Sequence, residues 1–326
     1  MIKDWGRSGR ALCVRRVVRY VFGLSFVATP DFLGLMSDAN PKDQGEWRAL
    51  LVLGRVSNLP TVWSNCVAGW WLGGGGDAWK LGLLCVGATC LYVGGMFLND
   101  AFDVEFDEQH RRERPIPSGS IRLETVWKWS FAWMLAGLAA MASLGAPVLI
   151  FTLMLSAAIV VYDAVHKLIT FSPWLMAICR FLLFLAAAAA GRDGVTGLAI
   201  WSAFALAAYI VGLSYIARRE SAPGALRYWP MLFLAAPLVL ASIVNAREYW
   251  LRSAWLSLIL AAWVGWCLQF ALVTSKRNLG RTVSGLLAGI ALVDWLAICG
   301  GPAQFLILFP MLLLTALLAQ RFVPAT

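Results

Sequence analysis

The chain has 326 residues, of which 60% are hydrophobic and 14% charged, and its mean hydropathy of +0.72 excludes an ordinary soluble globular protein. The formal net charge of +9 would suit nucleic-acid binding, but the basic residues lie in short segments between apolar runs, which is typical of membrane proteins. The seven cysteines form no Cys-x-x-Cys pair and there are only two histidines, so we expect neither a disulfide framework nor a zinc site.

Residues 1–46 differ from the rest of the chain because they are rich in basic residues and lack a long apolar run. We expect a basic N-terminal arm that is disordered or not part of the core, while residues 47–326 form the transmembrane domain. A targeting segment is the alternative, although no clear cleavage site of small residues follows the short apolar patch. Six basic residues precede position 20: Lys3, Arg7, Arg10, Arg15, Arg16 and Arg19.

The remainder of the chain is a series of apolar runs, each near the length of about 20 residues that a helix needs to cross a bilayer. No alternating pattern typical of β-strands is present. The sequence therefore predicts an all-α, polytopic transmembrane bundle of nine to ten helices. The runs lie near 49–73, 81–100, 124–143, 146–163, 173–191, 195–217, 229–245, 253–274, 282–299 and 303–320.

The basic residues between the runs predict how the bundle is oriented. Cytoplasmic loops of membrane proteins carry an excess of lysine and arginine. Twelve basic residues follow the even-numbered runs and four follow the odd-numbered runs, which places the even-numbered loops in the cytoplasm. The first group is Arg111, Arg112, Arg114, Arg122, Lys128, Lys167, Arg218, Arg219, Arg227, Lys276, Arg277 and Arg281, and the second is Lys80, Arg192, Arg247 and Arg252.

The end of the second run carries the strongest candidate site, an Asn-Asp-x-x-Asp-x-x-x-Asp pattern over residues 99–107. On a continuous helix the four side chains fall within an arc of about 100°, and Phe102 and Phe106 point the opposite way. Closely packed carboxylates repel one another, so a cation is needed, and oxygen ligands suit Mg²⁺. An acidic helix end in solvent is the alternative interpretation. The candidate side chains are Asn99, Asp100, Asp103 and Asp107.

Basic and polar residues elsewhere are candidates for binding an anionic ligand next to this motif. Arg111 and Arg114 follow it directly, and guanidinium groups match phosphate geometry. Arg55 and Asn58 share a face of the first run, where Arg55 either lines a cavity or extends to the lipid headgroups. Arg180 lies two turns inside the fifth run, a depth at which we expect it to face a carboxylate or a phosphate.

The motif, with the Arg-x-x-Arg-Pro-Ile-Pro-Ser-Gly segment that follows it over residues 111–119, resembles the first aspartate-rich motif of the UbiA superfamily of intramembrane prenyltransferases. Other landmarks of the superfamily recur over most of residues 48–230. The resemblance implies a central cavity open to the cytoplasm, in which Asn99, Asp103 and Asp107 bind Mg²⁺. Tyr162 and Lys167, in the Tyr-Asp-Ala-Val-His-Lys string, match positions that hold the diphosphate.

The sequence departs from the superfamily after the sixth run, where a second aspartate-rich motif is usual. Residues 214–221 read Ser-Tyr-Ile-Ala-Arg-Arg-Glu-Ser and contain no aspartate. Arg218 and Arg219 can neutralise a diphosphate in place of a second ion, and Glu220 is a further candidate metal ligand. This string resembles the EboC-type branch of the superfamily, which occurs in gene clusters linked to export of secondary metabolites.

The resemblance implies a prenyltransferase of the bacterial inner membrane with its active-site loops in the cytoplasm. It would move an isoprenyl group from an isoprenyl diphosphate to an aromatic or lipid-like acceptor, with Mg²⁺ assisting departure of the diphosphate. Asp100, Asp103 and Asp107 are the candidate catalytic residues, and Asp100 would assist deprotonation of the acceptor. The absent second motif leaves open a non-catalytic binding or transport component, and a secondary transporter of about ten helices is a further alternative.

Overall fold

The computed structural model describes residues 41–167, 169–221, 228–245, 249–272 and 278–324, without the side chains of 41–46 and 219–221. These residues form helices and turns, with no β-strand among them, which confirms the predicted all-α class. The α-helices are α1 (Pro41–Leu53), α2 (Leu59–Leu72), α3 (Ala78–Phe102), α4 (Val104–His110), α5 (Leu123–Ala142), α6 (Ala146–Val165), α7 (Ser172–Ala189), α8 (Gly197–Ser221), α9 (Ala236–Val244), α10 (Trp250–Leu272), α11 (Leu279–Ala288), α12 (Ile290–Ala297) and α13 (Phe305–Ala319).

Six stretches in the described part of the chain are long and apolar enough to cross a membrane, and two shorter apolar stretches accompany them. Large apolar side chains such as Trp201, Ile150 and Ile307 are more than half exposed, while polar ones such as Asn65 and Asp294 are buried. This distribution is the reverse of that in a soluble protein and is typical of a bundle that faces lipid. The six stretches are Ala78–Phe102, Ala146–Val165, Ser172–Ala189, Gly197–Arg218, Trp250–Leu272 and Leu279–Ala297, and the shorter ones are Trp229–Val244 and Phe305–Ala319.

The first predicted run, 49–73, is two helices. Helix α1 ends at Leu53, and Arg55 adopts a left-handed backbone conformation with φ of 41° before a 3₁₀ turn over Val56–Asn58. Pro60 then occupies the first turn of α2, where its missing N–H costs no hydrogen bond, whereas one continuous helix could not accommodate it without a kink. The turn places Arg55 at the end of the bundle that also holds the acidic motif.

Helix α3 is held against α5 by close contact between small residues. A Cβ atom added to Gly94 would lie 3.0 Å from the backbone nitrogen of Met134, and one added to Gly137 would lie 3.0 Å from the carbonyl oxygen of Gly87. The Ser130 hydroxyl also donates a hydrogen bond of 2.9 Å to the Gly94 carbonyl. Glycine contacts of this kind let membrane helices approach closely, and here they fix the rotation of the helix that carries the motif.

Candidate active site

The acidic motif lies across a bend between α3 and α4. Helix α3 ends at Phe102 and α4 begins at Val104, yet the Asp103 and Asp107 N–H groups still donate to the carbonyls four residues earlier, at 3.0 and 2.9 Å. The helical phase is therefore kept, although the predicted helix is not continuous. The motif's four polar side chains are all buried, with exposed fractions between 2 and 7%.

The two phenylalanines of the motif do not both point away from it. Phe102 packs edge-on against Trp127 of α5, with ring centroids 5.3 Å apart, which is the predicted direction. The ring of Phe106 lies 3.7 Å from the Lys167 Nζ, and that ammonium group also binds the motif. The prediction for Phe106 is therefore wrong, because at about 100° per residue Phe106 lies only about 60° from Asp103, at the edge of the acidic face.

Two arginines neutralise part of the acidic motif. The Arg114 Nη1 donates hydrogen bonds to Asp100 at 3.1 Å and to Asp107 at 2.9 Å, so that one guanidinium joins two carboxylates. The Arg55 Nη2 lies 3.6 Å from the same oxygen of Asp100. Burial lowers the pKa of Arg55, but the neighbouring acidic groups, Asp100 foremost, together outweigh this effect and the pKa is raised overall. Two of the predicted anion-binding arginines, Arg55 and Arg114, therefore border the carboxylates.

Asp103 is paired with the end of α6 and the residues after it. The Lys167 Nζ lies 2.9 Å and the His166 Nε2 3.4 Å from its Oδ1. Burial alone would raise the pKa of Asp103, but the hydrogen bond with His166 and the charge of Lys167 outweigh burial, so the pKa is lowered and the carboxylate is ionised at neutral pH. Burial lowers the pKa of Lys167, although the negative charge of Asp103 acts in the opposite direction. The ring of Tyr162 stacks on His166, with centroids 5.0 Å apart.

Of the other predicted binding residues, Arg111 contacts the motif through its backbone, and Asn58 and Arg218 make contacts of their own. The Arg111 N–H donates to the Asp107 carbonyl at 2.8 Å where α4 ends, and Asn58 is buried at the start of α2. The Arg218 Nη1 donates to the Thr170 carbonyl at 2.7 Å. The side chains of Arg219 and Glu220 lie outside the described residues, so their roles remain predictions.

Arg180 belongs to a second buried polar cluster, formed by α2, α7 and α12. Its Nη1 donates to the Asn65 Oδ1 at 2.7 Å, and the Asn65 Nδ2 donates to the Asp294 Oδ2 at 2.6 Å. Ser64 donates to the same Asp294 oxygen at 2.5 Å, and Arg180 also donates to Thr61. The hydrogen bonds of Arg180 thus lead to Asp294, not to the acidic motif, and its predicted contact with substrate remains a prediction.

A small pocket lies among α8, α9 and α12, bounded by residues such as Leu198, Ser202, Leu240 and Val293. None of the predicted site residues lines it. The predicted central cavity that opens to the cytoplasm therefore remains a prediction.

The carboxylates fit a magnesium ion that completes its coordination with ligand oxygens. The Asp107 Oδ1 is buried and has no hydrogen-bond partner, which suits a ligand atom. No group of three or more His, Cys, Asp or Glu side chains in the described part of the chain is placed to hold a metal by itself. Mg²⁺ usually binds through one or two carboxylates together with phosphates and water, so this incomplete set of protein ligands is sufficient.

Replacing Arg114 by methionine is expected to destabilise the protein by about 1–3 kcal/mol, because Asp100 and Asp107 lose a shared buried partner. Mg²⁺ should raise the melting temperature of this variant more than that of the wild type, since the ion can replace the lost positive charge. Thermal unfolding in detergent with and without Mg²⁺ measures both effects. An equal response of variant and wild type to Mg²⁺ would contradict the metal assignment.

Comparisons with known proteins agree with the predicted superfamily. The model of the UbiA prenyltransferase family matches residues 57–221. Two curated proteins named digeranylgeranylglyceryl phosphate synthase match as well: the one from Ignicoccus hospitalis is 36% identical over 93 residues, and the one from Metallosphaera sedula is 33% identical over 86 residues. These stretches cover 28% and 26% of this chain, and 30% of each relative.

Two solved structures share the fold at low sequence identity. One comes from a study of digeranylgeranylglyceryl phosphate synthase in membranes, with a TM-score of 0.56, 19% identity, and coverage of 78% of this chain and 98% of that one. The other is a UbiA homologue from Archaeoglobus fulgidus bound to GPP and Mg²⁺, with a TM-score of 0.51, 14% identity, and coverage of 83% of this chain and 99% of that one. These likenesses establish the fold alone.

Proposed function

Because this chain is an integral membrane protein that belongs to the UbiA prenyltransferase family, we propose that it transfers an isoprenyl group from an isoprenyl diphosphate to an acceptor in the membrane. The observation that carries the proposal is the set of buried carboxylates at the end of α3, each paired with a cationic side chain that can also bind phosphate. The Archaeoglobus fulgidus homologue, bound to GPP and Mg²⁺, supports this choice of substrate and ion.

The cationic side chains have a direct role in binding the diphosphate. Arg114 and Lys167 are held by Asp107 and Asp103 at 2.9 Å, within reach of any anion that enters between them. Guanidinium and ammonium groups form stronger hydrogen bonds to phosphate than to neutral partners. Arg55, close to Asp100, adds a third positive charge. Together they orient the diphosphate and stabilise the negative charge that develops as it leaves.

The carboxylates supply the other half of the site. Asn99, Asp103 and Asp107 would hold the Mg²⁺, which when bound neutralises the departing diphosphate. Asp103 is ionised at neutral pH because of its cationic neighbours, so it is ready to act as a ligand. Asp100 is the candidate for removing a proton from the acceptor. Its carboxylate is held by Arg114 and Arg55, which fixes its position.

The absent second aspartate-rich motif is compatible with this scheme. Arg218 lies at the end of the Gly197–Arg218 membrane stretch and donates to the Thr170 carbonyl. We propose that Arg218 and Arg219 add positive charge to the diphosphate site, and that Glu220 contributes to binding the ion. The positive charges of this loop and of the loop after α4 support a site on the cytoplasmic side of the membrane, which we propose is a bacterial inner membrane.

The acceptor is aromatic or lipid-like. The curated relatives' name implies a glyceryl phosphate, which favours a lipid-like acceptor. Incubation of the purified protein with labelled isoprenyl diphosphates of different chain lengths, and with glyceryl phosphate or phenolic acceptors, distinguishes the two classes. We expect Mg²⁺-dependent release of diphosphate in step with product, and loss of both in EDTA.

In the same assay Asp107→Asn should lose activity, and Asp77→Asn is its matched control, because Asp77 lies at the opposite end of α3 and is exposed. It should retain wild-type activity. Tight binding of an isoprenyl diphosphate with no release of diphosphate over the whole acceptor panel would instead support the non-catalytic alternative.

A further inference from the structure

Asp163, near the end of α6, is buried next to the proposed metal ligands. The site described above gives this side chain no role. Its side chain is 4% exposed. Its Oδ1 accepts a hydrogen bond of 3.1 Å from the Asn99 Nδ2, and its Oδ2 is buried with no hydrogen-bond partner. Burying a carboxylate costs free energy, so its place in the fold calls for a compensating benefit.

Asp163 and Asn99 meet because α3 and α6 pack in register. One helical turn before each of them, Gly95 and Ile159 are in close contact, and a Cβ added to Gly95 would lie 3.0 Å from the Ile159 Cγ2. The glycine therefore lets the two helices approach closely enough for the amide and the carboxylate to reach each other on the next turn.

The hydrogen bond decides which way the Asn99 amide faces. An asparagine side chain has an oxygen that accepts and a nitrogen that donates, and the two can exchange places by a rotation of the amide. In the structure the Asp163 Oδ1 accepts from the Asn99 Nδ2, so the amide nitrogen faces Asp163. The Asn99 Oδ1 is then turned away from Asp163 and is left as the metal-binding atom.

The same end of α6 also fixes Asp103. Lys167 and His166 contact Asp103 at 2.9 and 3.4 Å, and Tyr162 stacks on His166. Residues 162–167 thus touch two of the three proposed metal ligands, one through its amide and one through its carboxylate. Contacts of this kind outside the ligand shell orient the ligands and tune metal affinity.

We propose that Asp163 is a positioning residue that holds the amide nitrogen of Asn99 and so presents the amide oxygen to the divalent ion. This inference rests on the proposed function, because it requires Asn99 to be a metal ligand. Asp163→Asn keeps the size of the side chain but can offer either an oxygen or a nitrogen to Asn99, so the amide is no longer held in one orientation.

The test is binding of Mn²⁺, as a paramagnetic substitute for Mg²⁺, to purified protein with a non-hydrolysable geranyl thiolodiphosphate, followed by electron paramagnetic resonance. We expect Asp163→Asn to weaken Mn²⁺ binding about 10–100-fold. Asp294→Asn is the matched control, since Asp294 is also buried and also accepts from an asparagine Nδ2, but in the second cluster. The Mn²⁺ affinity of Asp294→Asn should stay within about twofold of the wild type, which is much less than the loss expected for Asp163→Asn.

A second variant separates positioning from folding. The exchange Asn99→Asp with Asp163→Asn preserves the hydrogen bond with donor and acceptor reversed, and leaves one oxygen of the new aspartate for the ion. We expect it to regain most of the lost Mn²⁺ affinity. A purely structural role predicts that Asp163→Asn lowers the melting temperature and leaves the affinity of the folded protein unchanged, which would overturn the positioning role alone. Absence of Mn²⁺ binding by the wild type would overturn the proposed function and this inference together.

Discussion

Asp107→Asn is expected to lower the rate of prenyl transfer roughly 10²–10³-fold while the protein remains folded. The Asp107 Oδ2 is bound by Arg114 at 2.9 Å, whereas its Oδ1 is buried and has no partner. In the variant, the amide oxygen can keep the hydrogen bond from Arg114, and the NH₂ group then occupies the position of the oxygen that would bind the ion. An amide nitrogen does not bind Mg²⁺, so the loss is specific to the ion.

The assay is diphosphate release at saturating Mg²⁺, with the melting temperature measured on the same preparation. Asp77→Asn, just before α3, again provides the control for removing one negative charge. The two variants should have similar melting temperatures and differ by orders of magnitude in rate. Activity of Asp107→Asn close to that of the wild type would remove Asp107 from the metal site.

Arg180→Met should give the largest change in stability, a loss of about 3–5 kcal/mol. Arg180 is 9% exposed and Asp294 is 1% exposed, and Asn65 links the two by hydrogen bonds of 2.7 and 2.6 Å. Removing the guanidinium leaves the Asp294 carboxylate buried without a cationic neighbour in this network. Unfolding followed by circular dichroism in detergent measures the loss.

The double variant Arg180→Met with Asp294→Leu tests whether the pair is the cause. Removing both charges should restore much of the stability, because no uncompensated charge remains. If the double variant is as unstable as Arg180→Met alone, the stability effects of Arg180 and Asp294 are not coupled and the prediction is wrong. Transfer activity of the stabilised double variant also tests the predicted substrate contact of Arg180: a purely structural role predicts nearly normal activity.

The helical repeat alone predicts that Asn99, Asp103 and Asp107 share one face, and the backbone hydrogen bonds of Asp103 and Asp107 keep that helical phase in the structure. The sequence was not sufficient to predict the break between α3 and α4 at Asp103, or the contact of Phe106 with Lys167. The left-handed conformation of Arg55 was also missed, although Pro60 was a signal that the first run could not be one regular helix.

Contacts between distant helices could not be derived from the sequence. Asp163 was visible as a charge near the end of an apolar run, and such residues are costly enough to suggest a role. Its partner Asn99 is 64 residues away, so their contact depends on the register of α3 against α6. Arg180 was expected to meet an anion. The sequence did not indicate that its partner would be Asn65, or that Asn65 would connect it to Asp294.

The most direct measurement of the central claim is a structure of the protein in a lipid nanodisc with Mg²⁺ and a geranyl thiolodiphosphate. We predict an ion bound to the carboxylates of Asp103 and Asp107, with the diphosphate in contact with Arg114 and Lys167 and the prenyl chain between the helices. A diphosphate bound elsewhere, with Arg114 still joining Asp100 to Asp107 and no ion beside them, would contradict the account.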